Sequence, residues 1–235
     1  GPPFTGRPFS LAGLAWISPS CDIAGNKRQA METWAIFTGD IVKSTAMTRA
    51  ELDTVFARLE EAADAVATWQ DQPTRITRFR GDGWQMAVTP QFTFRAALVL
   101  RAAVRRCGKT ADTRFGIGLG DAHFAGGDLS RADGAALVRS GHALDTMPRA
   151  RRMHAPDAPP ALRTALPLAD RIAGGWTVRQ ADVAYYMLAP EPPVQASLAQ
   201  QFDLTQQSVQ GHVDAAGIDE LREVCDVLED RQTAL

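Results

Sequence analysis

Cysteine is scarce: Cys21, Cys107 and Cys225 are far apart in 235 residues, odd in number and without a CxxC pair. This argues against both a disulfide framework and a cysteine-based zinc site, and fits a reducing cytoplasm. No apolar run approaches the roughly 20 residues that a membrane-crossing helix needs. Arg7 followed by "PFSLAGLAWI" only weakly imitates a signal peptide, so residues 1–30 are expected to be an extension with little structure. His123 and His154 have no partner at metal-ligand spacing, and nothing resembles a Ser-His-Asp arrangement. Basic residues are nearly missing from the end of the chain. Residues 176–235 carry three basic and ten acidic side chains, a net of −7, whereas residues 1–175 carry +5. An anionic ligand is therefore expected on the larger part. What the chain does have is an ordinary globular hydrophobic content of 45%, enough for one substantial domain and a small appendage.

The periodicities change in a definite order. "TWAIFTG" (33–39) reads as a buried strand bounded by Gly39. Thr48 with Glu51 forms a capping box that opens a helix of about twenty residues, with Leu52, Val55, Phe56, Leu59, Ala63 and Val66 at helical spacing. "RITRFR" (75–80) and "WQMAV" (84–88) are short strands joined by the tight "GDG" of residues 81–83. Thr89 as cap and Pro90 at the first helical position start a second helix, which Gly108 closes, and "TRFGIGLG" (113–120) is a further strand. The order β-α-β-β-α-β predicts an α+β, ferredoxin-like core over residues 31–150. That topology sets the first strand antiparallel beside the third. Asp40, at the end of the first strand, then neighbours the hairpin that carries Asp82.

Paired carboxylates on a strand end and a hairpin suit a hard divalent cation, Mg²⁺ or Mn²⁺, whose remaining positions are filled by substrate phosphates. The segment Ile41, Val42, Lys43, Ser44 and Thr45 offers amides, hydroxyls and one cation to a nucleoside triphosphate, and Gly81 lets the hairpin approach it. Either acid alone is more simply a turn former or helix cap. The argument for a site rests on both occurring at adjacent positions of one topology.

"FTGDIVKST", "FRGDGWQMAV" and "RFGIGLGD" resemble the three core motifs of class III nucleotidyl cyclases, and more closely the short SatD-type family. "LSRADGAALVRSGHALDTM" (129–147) adds to the second resemblance, which spans about residues 33–150. The cyclase resemblance implies that Asp40 and Asp82 hold two metal ions and the triphosphate, with Ile41 a metal-contacting backbone neighbour, and that the site forms between two antiparallel protomers of a homodimer. The chain departs from the pattern where cyclases carry an Asn and, four residues on, an Arg: Val138 and His142 stand there. Val138 cannot hydrogen-bond a ribose, and His142 is not a permanent, fork-shaped cation. Arg139, on the same helical face as His142, is the candidate substitute. Low turnover is the expectation, with metal and nucleotide binding retained. "GGDL" at 126–129 superficially matches a diguanylate cyclase signature but falls outside the hairpin, so its glycines read as loop residues.

Residues 151–175 form a Pro-rich connector and a short helix from about 160 to 172, followed by a small helical domain over 176–235. There, 197–202 and 205–216 have the spacing of a helix-turn-helix. The second helix, "TQQSVQGHVDAA", contains neither Lys nor Arg to neutralise DNA phosphates. Dimerisation or internal docking on the basic core is therefore the favoured reading, and a nucleotide-responsive DNA-binding regulator or a catalytically silent scaffold the alternatives.

Overall fold

Strand β1 (Glu32–Ile41) has both edges and both faces covered, which its apolar run requires. In the computed structural model, which describes residues 32–79, 81–124 and 128–230, β1 pairs antiparallel with β3 (Gly83–Val88) and with β4 (Thr113–Phe124). β2 (Arg75–Phe79) and two-residue β5 (Ala132–Asp133) extend the sheet in the order β2-β3-β1-β4-β5, and β6 (Met153–His154) adds to β4 in parallel. The first strand thus does lie antiparallel beside the third. Residues 1–30 and the glycines at 126–127 lie outside the described residues.

Alternation along β1 divides the core. Ala35, Phe37 and Ile41 join the main cluster with α1 (Arg49–Gln70) and α2 (Thr93–Arg105), while Trp34 and Ile36 join a smaller one with Ala136 of α3 (Ala135–Asp145). The expected capping box opens α1: Thr48 Oγ1 accepts from the Glu51 amide, and the Glu51 carboxylate accepts from the Thr48 amide at 2.7 Å. Pro90 begins a 3-10 turn, Pro90–Phe92, rather than the α-helix itself. Thr89 makes no side-chain cap there, and its amide donates to Gln70 Oε1 at 2.9 Å.

"GIG" in β4 follows from how closely α3 lies on the sheet. A Cβ at Gly116 would sit 2.3 Å from the Leu144 amide nitrogen, and one at Gly118 would sit 2.3 Å from the Ala136 carbonyl oxygen. Across the same seam, the Thr38 and Ser140 hydroxyls are 2.8 Å apart.

The remaining helices are α4 (Pro160–Gly174), α5 (Val178–Met187), α6 (Gln195–Phe202), α7 (Gln206–Ala216) and α8 (Ile218–Glu229). They close the main core over α2: Leu166, Val183, Val209, Val213 and Leu221 belong to the same cluster as Leu98 and Val104. Docking of this acidic segment is partly through buried charge. Arg95, 1% exposed, donates to Asp226 at 2.8 Å and to Glu229 at 2.6 Å, and Arg106 donates to Asp182 at 3.1 Å. Asp226 is largely exposed, but the pairs of Arg95 with Glu229 and of Arg106 with Asp182 are shielded on both sides and are screened little by salt. Among the described residues, no helix is long and apolar enough to cross a membrane.

Candidate functional site

Asp40 sits opposite Gly83 in the β1–β3 register, so the hairpin acid Asp82 falls beside the end of β1. The Ile41 amide donates to the Asp82 carbonyl at 3.2 Å, and the Val42 amide to the Asp112 carbonyl at 2.9 Å. The strand end is also pinned from behind. The buried indole of Trp84 donates to Thr113 Oγ1 at 3.0 Å, and that hydroxyl donates to the Asp40 carbonyl at 2.8 Å. Gly39 is required by the same crowding, since a Cβ there would lie 2.7 Å from the Arg114 carbonyl oxygen and 2.8 Å from the Trp84 ring.

Asp40, Ile41, Val42, Lys43, Ser44, Thr45 and Asp82 line one cleft of about 380 Å³, together with Arg114 and Arg152. Arg114 grips Asp40 with both ends of its guanidinium, Nε to Oδ1 and Nη2 to Oδ2, each at 2.8 Å. That carboxylate raises the Arg114 guanidinium further above its ordinary pKa. Ser44 donates its hydroxyl to Asp82 Oδ2. Lys43 holds the left-handed backbone conformation, φ 57°, ahead of the one-turn 3-10 segment Ser44–Ala46. A non-glycine residue there stores strain of a kind concentrated at ligand-binding turns.

The arrangement can hold charge of both signs. Two carboxylates from separate elements supply hard oxygen donors, and three cations face the same space. Among the described residues, no group of three or more His, Cys, Asp or Glu is placed to hold a metal ion. Two carboxylates alone could serve only a cation that takes its other ligands from phosphate oxygens and water, as Mg²⁺ and Mn²⁺ do.

Other sequence-derived candidates lie apart from this cleft. Arg139 donates to the Leu119 carbonyl at 2.5 Å, further along β4 than Arg114, and neither it nor His142 lines the cleft. Val138 is 73% exposed and His142 is exposed too, so the face of α3 that bears them is open in this chain. Gly81 turns the hairpin with φ 84°, and its carbonyl accepts from Arg78 Nε at 2.8 Å.

Sequence reasoning missed three contributors. Arg114 is the cross-strand partner of Asp40 in β4, a relation legible once the register of "DTRFGIG" against "FTGDI" is drawn. Arg152 enters from the connector, where no local pattern marks it. Asp112 acts from behind the cleft. Its carbonyl holds Val42, and its carboxylate accepts from buried Arg101 at 2.6 and 3.0 Å. Arg101 also donates to Asp170 of α4 at 2.6 Å, and Asp170 accepts the Arg152 amide at 2.9 Å. One buried ion network thus ties α4 to two residues that line the cleft.

No family model matches this chain, and no curated protein does. Solved structures with a likeness to it include adenylyl and guanylyl cyclases. The catalytic core of a rhodopsin-guanylyl cyclase with converted specificity, in complex with ATPαS, is 18% identical over 49% of this chain and 73% of its own, with a TM-score of 0.38. A bacterial light-regulated adenylyl cyclase is 14% identical over 52% of this chain and 42% of its own, and the guanylyl cyclase Cya2 is 15% identical over 52% and 73%, each with a TM-score of 0.37.

Proposed function

We propose that the cleft binds a nucleoside triphosphate with Mg²⁺ or Mn²⁺, in a class III cyclase-like, SatD-type core of ferredoxin-like topology that works as a homodimer. The observation that carries this reading is the convergence of Asp40 and Asp82 on one cleft with Lys43, Arg114 and Arg152. Asp40 and Asp82, with the Ile41 backbone, would hold the metal. Bound there, it would polarise phosphoryl oxygens and favour attack at phosphorus. Lys43 and Arg152 would meet the phosphates, and the hydroxyls of Ser44 and Thr45 would supply further donors at the same turn. Arg114 stands between two anions, its own Asp40 and the incoming triphosphate. It neutralises the carboxylate and can shift part of its hydrogen bonding to phosphate when the ligand arrives.

Arg139 and His142 are outside this chain's own cleft, so any part they play in turnover would be on the cleft of a second copy. With Val138 where a ribose-binding amide would be expected, turnover is slow. The C-terminal helices serve internal packing in this reading, because α7 is spent on the core through Val209, Val213 and Ala216. The test has two parts. Calorimetry with each of four non-hydrolysable triphosphates and Mn²⁺ should give saturable, metal-dependent binding, and product analysis with the hydrolysable four should give slow release of pyrophosphate. Absence of metal-dependent binding for all four would refute the reading.

A further inference from the structure

The segment that supplies Arg152 to the cleft supplies its neighbours to a second one. A groove of about 300 Å³ is lined by Arg151, Met153 and His154 on one side and by Arg163, Leu166 and Pro167 of α4 on the other. It shares no lining residue with the candidate cleft. Its arginines differ from those of the buried ion networks and of the candidate cleft. Arg95, Arg101, Arg105, Arg106 and Arg114 each hold a carboxylate. Among the described residues, neither Arg151 nor Arg163 has a side-chain hydrogen bond or ion pair. Two guanidinium groups from different elements thus face one groove without an anion between them. Each is a planar donor set that matches phosphate oxygens.

The rest of the lining describes the other end of a ligand. Met153 and Leu166 are buried beneath the groove, and half-buried Pro167 gives it an apolar surface. Burial and the nearby Arg151 hold His154 below its ordinary pKa, which keeps the imidazole neutral, able to accept as well as donate. The field of Asp157 opposes this shift, and that of His142 adds to it. The volume is at the small end of the range for small-molecule sites. We propose that this groove binds a phosphomonoester of mononucleotide size, its phosphate between Arg151 and Arg163 and its flat body against Pro167, above buried Met153 and Leu166.

The probe is AMP, titrated into the full-length protein in EDTA, with adenosine as the phosphate-free control. Calorimetry reads affinity, and the ¹³C-methyl signal of Met153, assigned through Met153→Leu, reads the place. AMP should bind and move that signal, and adenosine should do neither. Arg151→Gln and Arg163→Gln, made together, should weaken AMP by at least about tenfold, as expected when charged hydrogen bonds are lost. Arg114→Gln should leave it unchanged, which separates this groove from the metal-dependent cleft. No AMP binding at millimolar concentration, equal binding by adenosine, or unchanged binding in the double variant would overturn the proposal. So would loss of AMP in Arg114→Gln.

Discussion

Arg101→Met should destabilise the protein severely, because Arg101 is 1% exposed and is clamped between Asp112 and Asp170, themselves 15% and 5% exposed. Methionine keeps most of the volume but leaves both carboxylates without their main counter-charge. Breaking a buried pair by removing one partner costs about 3–5 kcal/mol. Two features set the lower end. Asp112 keeps Arg105 at 3.5 Å and Arg152 at 3.8 Å, and Asp170 keeps the Arg152 amide at 2.9 Å. We therefore expect a loss near 3 kcal/mol by urea titration, or about 6–12 °C in melting temperature for a cooperative unit of this size. Asp170→Asn in the Arg101→Met background should recover part of the loss, because it removes one of the stranded charges. Affinity for the metal–triphosphate complex should fall as well, since Asp112 holds Val42 and the network holds Arg152. A loss under about 1 kcal/mol, within the range of an exposed ion pair, would refute the claim that this network is a buried support of the cleft.

Burial pushes the Cys225 thiol up to about 12 from 9.0, and Tyr185 moves in the same direction for the same reason. The folded pKa lies above the unfolded one, so the stability linked to Cys225 is present below pH 9 and is lost as pH rises toward 12. Native Cys225 should resist thiol reagents at pH 8, and rapid labelling there, with the fold intact, would contradict its burial. His142→Arg, better combined with Val138→Asn, should raise slow cyclase turnover, because a fixed cation at developing phosphoryl charge is worth a few kcal/mol; a decrease on both substitutions would contradict the assignment of α3. DNA binding by the full chain should be weak, salt-sensitive and indifferent to sequence in gel-shift titrations, since α7 carries neither Lys nor Arg. A tight, sequence-specific complex would restore the regulator reading.

The elements that position the cleft were legible because their signals are local. Thr48 and Glu51 mark the start of α1, "GDG" marks the hairpin, and the apolar run after Thr33 marks β1. Their order then predicts the antiparallel contact of β1 with β3 that brings Asp40 beside the hairpin. What sequence could not supply depends on long-range register or on packing. Arg114 meets Asp40 only across strands, and Arg152 arrives through β6, whose two residues are too few to show a period. Likewise, "IDELREVCDVLE" of α8 reads as an acidic amphipathic stretch, but nothing local says that Glu229 closes on buried Arg95. Truncation near Gly175 would therefore expose the core face of α2 rather than release a separable segment.

Calorimetry of Mn²⁺ and a non-hydrolysable triphosphate on the wild type, Asp40→Ala and Asp82→Ala tests the central claim most directly. Asp40 and Asp82 lie at the rim of the sheet, and each has one side-chain partner, Arg114 and Ser44 respectively. Both variants should therefore stay folded, with far-UV circular dichroism and cooperative melting retained. Removing either carboxylate leaves one acid, too little negative charge to draw a hydrated Mg²⁺ or Mn²⁺ into the cleft. The account predicts metal-dependent binding in the wild type and its loss in each folded variant. Wild-type affinity in both variants would remove Asp40 and Asp82 from the site.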